Sequence, residues 1–365
     1  MKRIWLLSIL LSMALLCSCT FDFLTNTSTA SPTTSVTTLT TMPDTPSTPS
    51  TSSLTTDAEL QVIVLDVGQA DCVLLKTGNH AMLVDAGNIG QDSLILNYLN
   101  EYGVKNLDYI VATHPHADHI GAMAAVIRGM DSIGMILMPD VTTTTRTFEN
   151  MLDAIEEKDV PINIPNPGDV ITMGDAQIQI LAPNGVAYND LNDYSIVLRV
   201  AFGNSVFLLT GDAETKSEGE QLANSLLLNA DVLKVGHHGS RTSSTQAYLD
   251  AVSPSYAVIS CGLDNTYGHP HRESVTRLAE MGVETYRTDE NGTVIFTTDG
   301  NAITVSTTRV STTPTATASY IGNINSKIFH LSTCSGLPLE QNRVYFATRN
   351  EAINDGYTPC SICKP

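Results

Sequence analysis

The sequence predicts an α/β fold in which short strands and amphipathic helices alternate around a metal-binding turn. An apolar run, YIVA at 109 to 112, leads directly into THPHADHIG at 113 to 121, which reads as a strand entering a strand-to-helix turn. Further strand-like runs, each ending in polar residues, come before and after it. Successive short strands followed by strand-helix alternation fit a four-layer αββα sandwich.

Length and charge restrict the organisation and the partners. A chain of 365 residues can hold one domain of about 250 residues and something small beside it. The 19 basic residues face 38 acidic ones, so a polyanion meets net repulsion except where metals or local basic groups reverse it. This balance argues moderately against a nucleic-acid binder that relies on charge alone.

Residues 1–19 have the pattern of a secretory signal. Lys2 and Arg3 precede the apolar run IWLLSILLSMALL, which is too short to span a bilayer as a stable helix. The following Leu16-Cys17-Ser18-Cys19 resembles the bacterial lipobox, which implies cleavage before Cys19 and lipidation of its thiol; Cys17 is a weaker candidate, and secretion without a lipid stays open. We expect an extracytoplasmic, cell-surface lipoprotein of a bacterium, or a secreted protein, that meets the membrane only through a lipid anchor.

Two stretches rich in Thr, Ser and Pro separate the predicted domains. Residues 20–57 and 306–319 cannot bury enough apolar surface to offset the loss of chain entropy, so we expect disordered linkers. The remaining segments are a main domain at 58–305 and a small module at 320–365.

The elements of the main domain follow from periodicity. LQVIVLDVG at 60 to 68, CVLLKTG and HAMLVDAG are strand-like, and the last two join at Gly78-Asn79. Helical spacing predicts helices over 90–102, 119–129 and 144–158, and paired strands are expected around 168–183 and 194–210. In the third helix, Phe148, Met151, Leu152 and Ile155 recur at helical spacing and are expected in the core.

The turn at 113 to 121 carries four metal-binding side chains within six residues: His114, His116, Asp118 and His119. Imidazole and carboxylate suit Zn, Mn or Fe. The spacing lets His114 and His116 bind one ion while Asp118 and His119 approach a second about 3.5 to 4 Å away, as in two-metal hydrolysis. The alternative is a polar loop with incidental histidines.

Two later segments add donors directly after apolar strands. Asp212 follows VFLLT, where a carboxylate is either a metal ligand or the N-cap of the next helix. His237 and His238 follow VLKV. Two adjacent histidines point apart on an extended chain, so we expect one ligand, and the strand-end position favours His237.

Seven stretches occur in an order that resembles the metallo-β-lactamase superfamily and, within it, the hydrolase domain of the DNA-uptake proteins of the ComEC family: LDVGQADCVLL, LVDAG, THPHADHIGA, SIVLRV, LLTGDAE, LKVGHHGS and YGHP. The resemblance covers 58 to 305 and implies the metallo-β-lactamase αββα sandwich. It also implies two divalent ions, Zn or Mn, with Asp212 bridging them. A phosphodiester such as DNA is the implied substrate.

The same resemblance suggests roles around the ions. Asp66 and Asp71 would support the site from behind the ligands, or simply cap a turn. The region where many superfamily members carry a further histidine has none here, and Asn192 and Ser195 are expected to face the site, with Asp193 as another candidate ligand.

Substrate contacts and proton transfer are assigned in the same way. His238, Ser240 and Ser243 are expected to contact a phosphoryl oxygen, with Lys234 or Arg241 as a charge partner. His269, in YGHP, would bind the substrate or protonate the leaving group, and Asp118 would handle protons. Tyr267 is expected simply to pack.

The C-terminal module has metal-ligand spacing of its own. His330-x3-Cys334 and Cys360-x2-Cys363 supply four ligands at structural-zinc spacing, and so short a segment needs a metal to stabilise it. The module resembles the metal-binding domain of the DNA-repair protein Ada, with His in place of one Cys. A DNA-binding role and a structural or targeting role are both open, and disulfides are the main alternative to zinc.

These observations together predict an extracytoplasmic metal-dependent phosphodiesterase, a ComEC-like nuclease acting through a two-metal centre. The alternatives are a hydrolase of another wall or small-molecule phosphodiester or of a lactone, and a non-catalytic surface-binding protein. The oligomeric state is not determined by the sequence.

Overall fold

The protein alternates strand and helix from residue 59 onwards, and the computed structural model describes residues 59–309, 320–346 and 349–365. The predicted signal peptide with Cys19, the tether at 20–57 and residues 310–319 of the second linker lie outside these residues. Within the described residues, no helix combines the length and apolar character needed to cross a membrane.

The larger domain contains fifteen strands, and side chains along them alternate between two apolar environments. In chain order they are β1 (Leu60–Val64), β2 (Val73–Thr77), β3 (His80–Val84), β4 (Asn106–Val111), β5 (Ser132–Leu137), β6 (Ile162–Asn163), β7 (Val170–Met173), β8 (Ala176–Ala182), β9 (Val197–Phe202), β10 (Ser205–Leu209), β11 (Val232–Lys234), β12 (Tyr256–Ile259), β13 (Glu284–Arg287), β14 (Val294–Thr298) and β15 (Ile303–Thr307).

These strands form two sheets with related internal organisation. The first has the order β15-β14-β1-β2-β3-β4-β5-β6, and the second has the order β13-β12-β11-β10-β9-β8-β7. In each sheet, antiparallel strands give way to three successive parallel pairings, β3 to β6 and β10 to β13. Parallel neighbours need crossover connections, and helices supply most of them.

The helices of this domain are α1 (Asp92–Glu101), α2 (Ala117–Ile120), α3 (Met123–Gly129), α4 (Arg146–Lys158), α5 (Thr215–Ala223), α6 (Gln246–Val252), α7 (Arg272–Glu280) and α8 (Thr288–Asn291). Along β1, Val62 and Val64 pack between the two sheets, whereas Ile63 packs towards the helices. This period of two gives each sheet one face for its partner sheet and one for helices.

The fold prediction is therefore confirmed: two sheets lie back to back, with helices on both outer faces. Two local expectations need correction. The segment predicted as one helix over 119–129 is divided between α2 and α3 at Gly121-Ala122. Leu152, predicted in the core, is 36% exposed, because Ala154 takes its place on the buried face of α4 beside Met151 and Ile155.

The division at Gly121 positions the metal-binding turn. A Cβ on Gly121 would lie 2.1 Å from the carbonyl carbon of Asn88, so only glycine allows this close approach. The Gly121 amide donates to the Gly87 carbonyl at 2.8 Å, and the Ala122 amide donates to Ala86. The turn after β4 is thereby fixed against the segment that follows β3.

The C-terminal residues form a small third sheet. Its strands are β16 (Tyr320–Asn323), β17 (Ile328–Leu331), β18 (Arg343–Phe346) and β19 (Thr358–Pro359), in the order β18-β16-β17-β19, and the accompanying helix is α9 (Arg349–Asn354). Among the described residues of this module, a small buried apolar cluster contains Phe329, Phe346, Ala352 and Tyr357.

Candidate metal centre

The donor side chains lie where parallel strands end. In the first sheet, Asp85 follows β3 and the THPHADHIG turn follows β4; in the second sheet, Asp212 follows β10 and His237 and His238 follow β11. The carboxyl ends of parallel strands meet at one edge of a sheet, and ligands of open α/β folds bind there. The topology therefore gathers donors that are more than 100 residues apart in the chain.

His119 lies at the centre of this cluster and is completely buried. Its Nδ1 is 2.7 Å from Asp85 Oδ2, and its Nε2 is 3.2 Å from Asp212 Oδ2. Burial alone would lower the pKa of His119, but the carboxylates of Asp212 and Asp85 raise it well above its usual range. The imidazole is thus held between two carboxylates, with Nε2 facing the cleft.

Asp85 was missed by the sequence reasoning, although it occupies the LVDAG stretch. It is 1% exposed, and it accepts hydrogen bonds from the Thr113 amide at 2.9 Å and the Thr113 hydroxyl at 2.8 Å. Burial raises its pKa against the lowering effect of His119. The signal that could have found it was its position at the end of a buried strand, equivalent to Asp212 in the other sheet.

His114 and His116 converge on the other side of the cluster. His114 Nε2 is 3.0 Å from His116 Nδ1, and His114 Nε2 is 4.0 Å from Asp212 Oδ2. The Nδ1 atom of His114 faces the hydroxyls of Thr113 at 3.1 Å and Ser195 at 3.3 Å, which fix the orientation of the ring. Burial lowers the pKa of His114 well below its ordinary value, so the ring is a neutral donor.

Several buried polar atoms at the centre make no hydrogen bond to the protein, and this tests whether these residues suit a metal. Nε2 of His119, Nε2 of His238 and Oδ1 of Asp212 are buried without a hydrogen bond in the described structure. Buried polar atoms are rarely left in this state, and each costs about 1–3 kcal/mol. Two donor groups, His114-His119-Asp212 and Asp118-His119-His238, have all their donor atoms within 4.8 Å of one another. These residues fit divalent metal ions.

The two adjacent histidines do not lie on extended chain as expected. His237 and His238 both adopt left-handed backbone conformations, with φ of 47° and 52°, inside a tight turn over Gly236–Gly239. Such conformations are uncommon for non-glycine residues and concentrate at functional sites. The turn brings both side chains to the same place: each Nε2 is 3.7 Å from Asp212 Oδ2.

The surroundings of the two rings differ, and they favour His238 rather than the predicted His237 as the metal donor. His238 is 1% exposed, its Nδ1 donates to the Ser260 carbonyl at 3.0 Å, and its Nε2 lies 3.4 Å from Asp118 Oδ2. Burial alone would raise the pKa of Asp118, but the nearby His238 imidazole and the charge of His119 lower it strongly. A histidine with one nitrogen fixed by a backbone carbonyl presents the other to a metal.

His237 is instead paired with Glu214, a residue that the sequence reasoning did not select. Its Nδ1 is 2.6 Å from Glu214 Oε1, which also accepts a 2.6 Å hydrogen bond from the Thr242 hydroxyl. Burial alone would lower the pKa of His237, but Glu214 and the charge of Asp212 raise it. Glu214 is the last residue of the LLTGDAE stretch and stands at the start of α5.

Asp71 and Lys234 form an ion pair buried behind the donors. Lys234 Nζ contacts Asp71 Oδ2, and both side chains are at most 3% exposed. Asp71 Oδ1 is 3.5 Å from Nδ1 of His238. Lys234, predicted to contact substrate, is thus placed to neutralise Asp71 and is closed off from the cleft.

Several other predicted residues can now be located. Asn192 lies on a helical turn with its Nδ2 3.4 Å from His237 Nδ1, and Ser195 accepts the Asp212 amide at 3.1 Å. Asp193 belongs to none of the donor groups found in the described residues. Ser240, predicted to meet a phosphoryl oxygen, is 5% exposed and bonds the Thr242 hydroxyl at 2.7 Å, so its role is to shape the loop.

Asp66 is not brought to the donor cluster. Its carboxylate accepts the Gly68 amide at 3.4 Å and pairs with Arg309. This places it among the turn-capping aspartates, the alternative considered for it. The acidic part of the centre therefore consists of Asp71 and the carboxylates that follow the strand ends.

The centre opens into a cleft of about 250 Å³ lined by Gln69, His116, Ala117, Asp118, Asp212, His237, His238, Tyr267 and His269. His269 is 8% exposed, and its Nδ1 lies 3.4 Å from the Gln69 side-chain amide. Burial, with the charges of His237 and His238, lowers the pKa of His269 to about 4. Tyr267 does not pack into the core as expected, because it is 66% exposed.

A second donor cluster lies in the C-terminal sheet. His330 Nδ1 is 3.4 Å from Cys334 Sγ, and donor atoms of these two residues, Cys360 and Cys363 all lie within 4.8 Å of one another. The backbone amides of Cys363 and Ile362 lower the pKa of Cys360. No disulfide joins the cysteines of the described residues, and the arrangement is consistent with a small zinc module.

The fold and the donor set define a class of protein. A family profile described as the metallo-beta-lactamase superfamily matches residues 65–263, and the chain belongs to that superfamily. It is a metal-dependent hydrolase related to the ComEC-like competence proteins. A second profile, described as the metal binding domain of Ada, matches residues 304–365.

Among curated relatives, the chain is 31% identical over 258 residues to ComE operon protein 3 of Bacillus subtilis. The aligned region covers 66% of this chain and 33% of that protein. It is 34% identical over 244 residues to competence protein ComA of Neisseria gonorrhoeae, covering 65% and 32%. Recombination protein 2 of Haemophilus influenzae is 31% identical over 223 residues, covering 60% and 26%. The chain spans about a third of the length of these relatives or less.

Proposed function

We propose that this protein is an extracytoplasmic phosphodiesterase, most simply a DNA nuclease, that acts through two divalent ions. The observation that carries the proposal is the convergence of three histidine rings on the buried Asp212: its Oδ2 lies 3.2 Å from His119 Nε2 and 3.7 Å from each Nε2 of His237 and His238. The relation to competence proteins supports a polynucleotide substrate, and the centre itself supports hydrolysis.

The donors divide naturally between two ions. His114 and His116 would hold the first, and Asp118 and His238 the second; the Asp212 carboxylate would be available to either ion, and His119, whose Nδ1 is bound to Asp85, could bind one of them through Nε2. Divalent ions held there supply Lewis-acid activation of water and of the phosphoryl group. With no further histidine in the Asn192–Ser195 region, the first ion would have fewer protein ligands and bind more weakly.

The chain's own residues orient the substrate and move protons. Asp118, whose pKa is strongly lowered, is a carboxylate at working pH and accepts a hydrogen bond from the attacking water. His237, fixed by Glu214 and facing the cleft, donates the proton of its Nε2 to the departing alcohol oxygen. His269, with its pKa lowered to about 4, is neutral and contacts the substrate through a hydrogen bond.

This division of labour revises two roles predicted from the sequence. His238 was assigned to catalysis and His237 to the metal, but burial and hydrogen bonding favour the reverse. His269 was a candidate proton donor, but its low pKa leaves the ring unprotonated at neutral pH, whereas the pKa of His237 is raised and favours the protonated form. The new assignment rests on the turn at Gly236–Gly239, which presents one ring to Ser260 and the other to Glu214.

The proposal is tested by cleavage of bis-p-nitrophenyl phosphate, single-stranded DNA and duplex DNA by the purified chain. Assays would follow chelation and re-addition of Zn, Mn or Mg. His116→Ala is expected to abolish metal-dependent turnover, whereas His80→Ala, which changes an exposed histidine outside the centre, should leave it unchanged. If metal binds and neither small diester nor DNA is turned over, the phosphodiesterase proposal fails, and lactone hydrolysis or a binding role takes its place.

The extracytoplasmic location is proposed from the pattern of residues 1–19. Cell fractionation followed by mass spectrometry of the N-terminal peptide tests it. A lipid on Cys19, with release from the membrane fraction in Cys19→Ser but not in Cys17→Ser, is expected. A full-length cytoplasmic chain would refute the location without touching the proposed chemistry.

A further inference from the structure

The rim of the metal cleft carries an exposed aromatic ring that the proposed chemistry does not use. Tyr267 lines the cleft and is 66% exposed, which is unusual for so large a ring at a site. Its ring lies nearly parallel to that of His269, with the centroids 5.8 Å apart and an interplanar angle of 20°. One face therefore rests on His269, and the other is open to solvent.

The loop that presents this ring is fixed in place. Asn265 Oδ1 accepts the His269 amide at 3.0 Å, and Asn265 Nδ2 donates to the Gly262 carbonyl at 2.9 Å. The Gln69 side chain joins the loop to the first sheet through the Gly262 amide, at 3.0 Å. The aromatic platform is consequently preorganised, which reduces the entropy lost when a flat ligand covers it.

The backbone of Arg241 contacts the segment that follows His269. The His269 and His271 rings are 4.8 Å apart, and His271 Nδ1 accepts the Arg241 amide at 3.1 Å. The Arg241 side chain is 58% exposed, and its contact with Glu273 is long, at 3.9 Å. In a chain with 38 acidic and 19 basic residues, an exposed cation with only a long contact to a carboxylate is a local exception.

We infer that Tyr267 is a stacking platform for a base of a single-stranded polynucleotide whose neighbouring phosphate enters the metal centre. This inference rests on the proposed phosphodiesterase function and names its substrate class. Aromatic stacking tolerates any base, and it is the usual device of proteins that bind single strands without sequence preference. Within a duplex the bases are stacked on each other, so an exposed ring can engage only a single-stranded region or an end.

The experiment compares two oligonucleotides of equal length and charge, one of thymidine nucleotides and one of abasic deoxyribose phosphates. The full chain should cleave the thymidine oligomer with a kcat/KM about tenfold higher than the abasic one, since one stacked base is worth roughly that factor. Tyr267→Ala should remove this preference by lowering only the rate on the thymidine oligomer, and Tyr267→Phe should keep it.

Leu263→Ala provides the matched control, because Leu263 is another large exposed side chain of the same loop, at 73%, and does not line the cleft. It should leave the preference intact. Equal cleavage of both oligomers by the unmodified chain, or a preference that survives Tyr267→Ala, would overturn the stacking inference while the phosphodiesterase function stands. Cleavage of neither oligomer, together with no turnover of the small diester, would instead refute the proposed function.

Discussion

The two metal-donor clusters of this chain differ in how their donors are grouped and in which groups support them. In the C-terminal module, His330 and three cysteines form a single group, and backbone amides support the sulfurs: Leu331 donates to Cys363 at 3.4 Å and Ile362 donates to Cys360 at 3.3 Å. In the larger domain, histidines and carboxylates form overlapping groups that share His119 and Asp212, and side chains such as Asp85 and Ser195 support them.

The difference separates a structural site from a reactive one. Four donors at tetrahedral spacing leave no position for a substrate, whereas the larger domain places shared carboxylates beside a cleft of about 250 Å³. The surroundings differ as well, because residues 320–365 contain four basic and three acidic residues, and the large acidic excess lies elsewhere in the chain. Four experiments, one of them on a pair of variants, test this comparison.

The largest effect is expected from Cys334→Ala. The buried apolar cluster in the described part of the module contains three aromatic side chains and Ala352, and each aromatic side chain contributes about 1.5–3 kcal/mol at most, against about 10 kcal/mol or more for a bound structural zinc. Residues 320–365 should lose both the metal and their amide protection in hydrogen exchange. The neighbouring Ser335→Ala should change neither, and an ordered, metal-free variant would contradict the structural reading.

The next largest effect is expected from Asp212→Asn. The substitution keeps the shape of the side chain but removes the charge that faces four histidines, so turnover of bis-p-nitrophenyl phosphate should fall by about a thousandfold or more, which corresponds to roughly 4 kcal/mol. Circular dichroism should show the fold retained. Asp250→Asn, on the exposed part of α6, serves as the control, and a loss of less than about tenfold would remove Asp212 from the centre.

The pair His238→Ala and His237→Ala distinguishes ligand from proton donor. Loss of the buried His238 should weaken metal binding about 100-fold, measured by competition with a chromogenic chelator, whereas loss of His237 should leave metal affinity within a few fold. His237→Ala should slow DNA cleavage much more than cleavage of bis-p-nitrophenyl phosphate, because p-nitrophenolate leaves without a proton. The opposite pattern would restore the assignment predicted from the sequence.

The smallest effect is expected from Glu214→Gln. The hydrogen bond to His237 Nδ1 is weakened without removal of the ring, so DNA cleavage should fall about tenfold while metal content and cleavage of the activated diester are retained. Glu273→Gln, which changes an exposed carboxylate, is the control. An equal loss on both substrates would indicate that Glu214 supports the fold of the loop rather than the orientation of His237.

The sequence by itself determined which elements form and most of the donors. The alternation of apolar residues specifies the strands and the two-sided sheets, and the THPHADHIG turn and the His330-Cys334 and Cys360-Cys363 pairs are compact enough to be recognised from spacing alone. The donors of these motifs are neighbours in the chain, so local spacing already limits their geometry.

The tertiary structure alone decided what depends on contacts between distant segments. Asp85 and Asp212 meet His119 only because parallel strands of two sheets end at the same edge, and Glu214 meets His237 only across the β11 turn. The left-handed conformations of His237 and His238 bring both rings to Asp212, which was not expected for an extended chain, because a two-residue backbone conformation sets the direction of each ring. The exposure of Tyr267 and Leu152 also depends on the tertiary structure. How far a side chain is exposed is set by the residues that pack around it, whereas a sequence pattern gives only the periodicity.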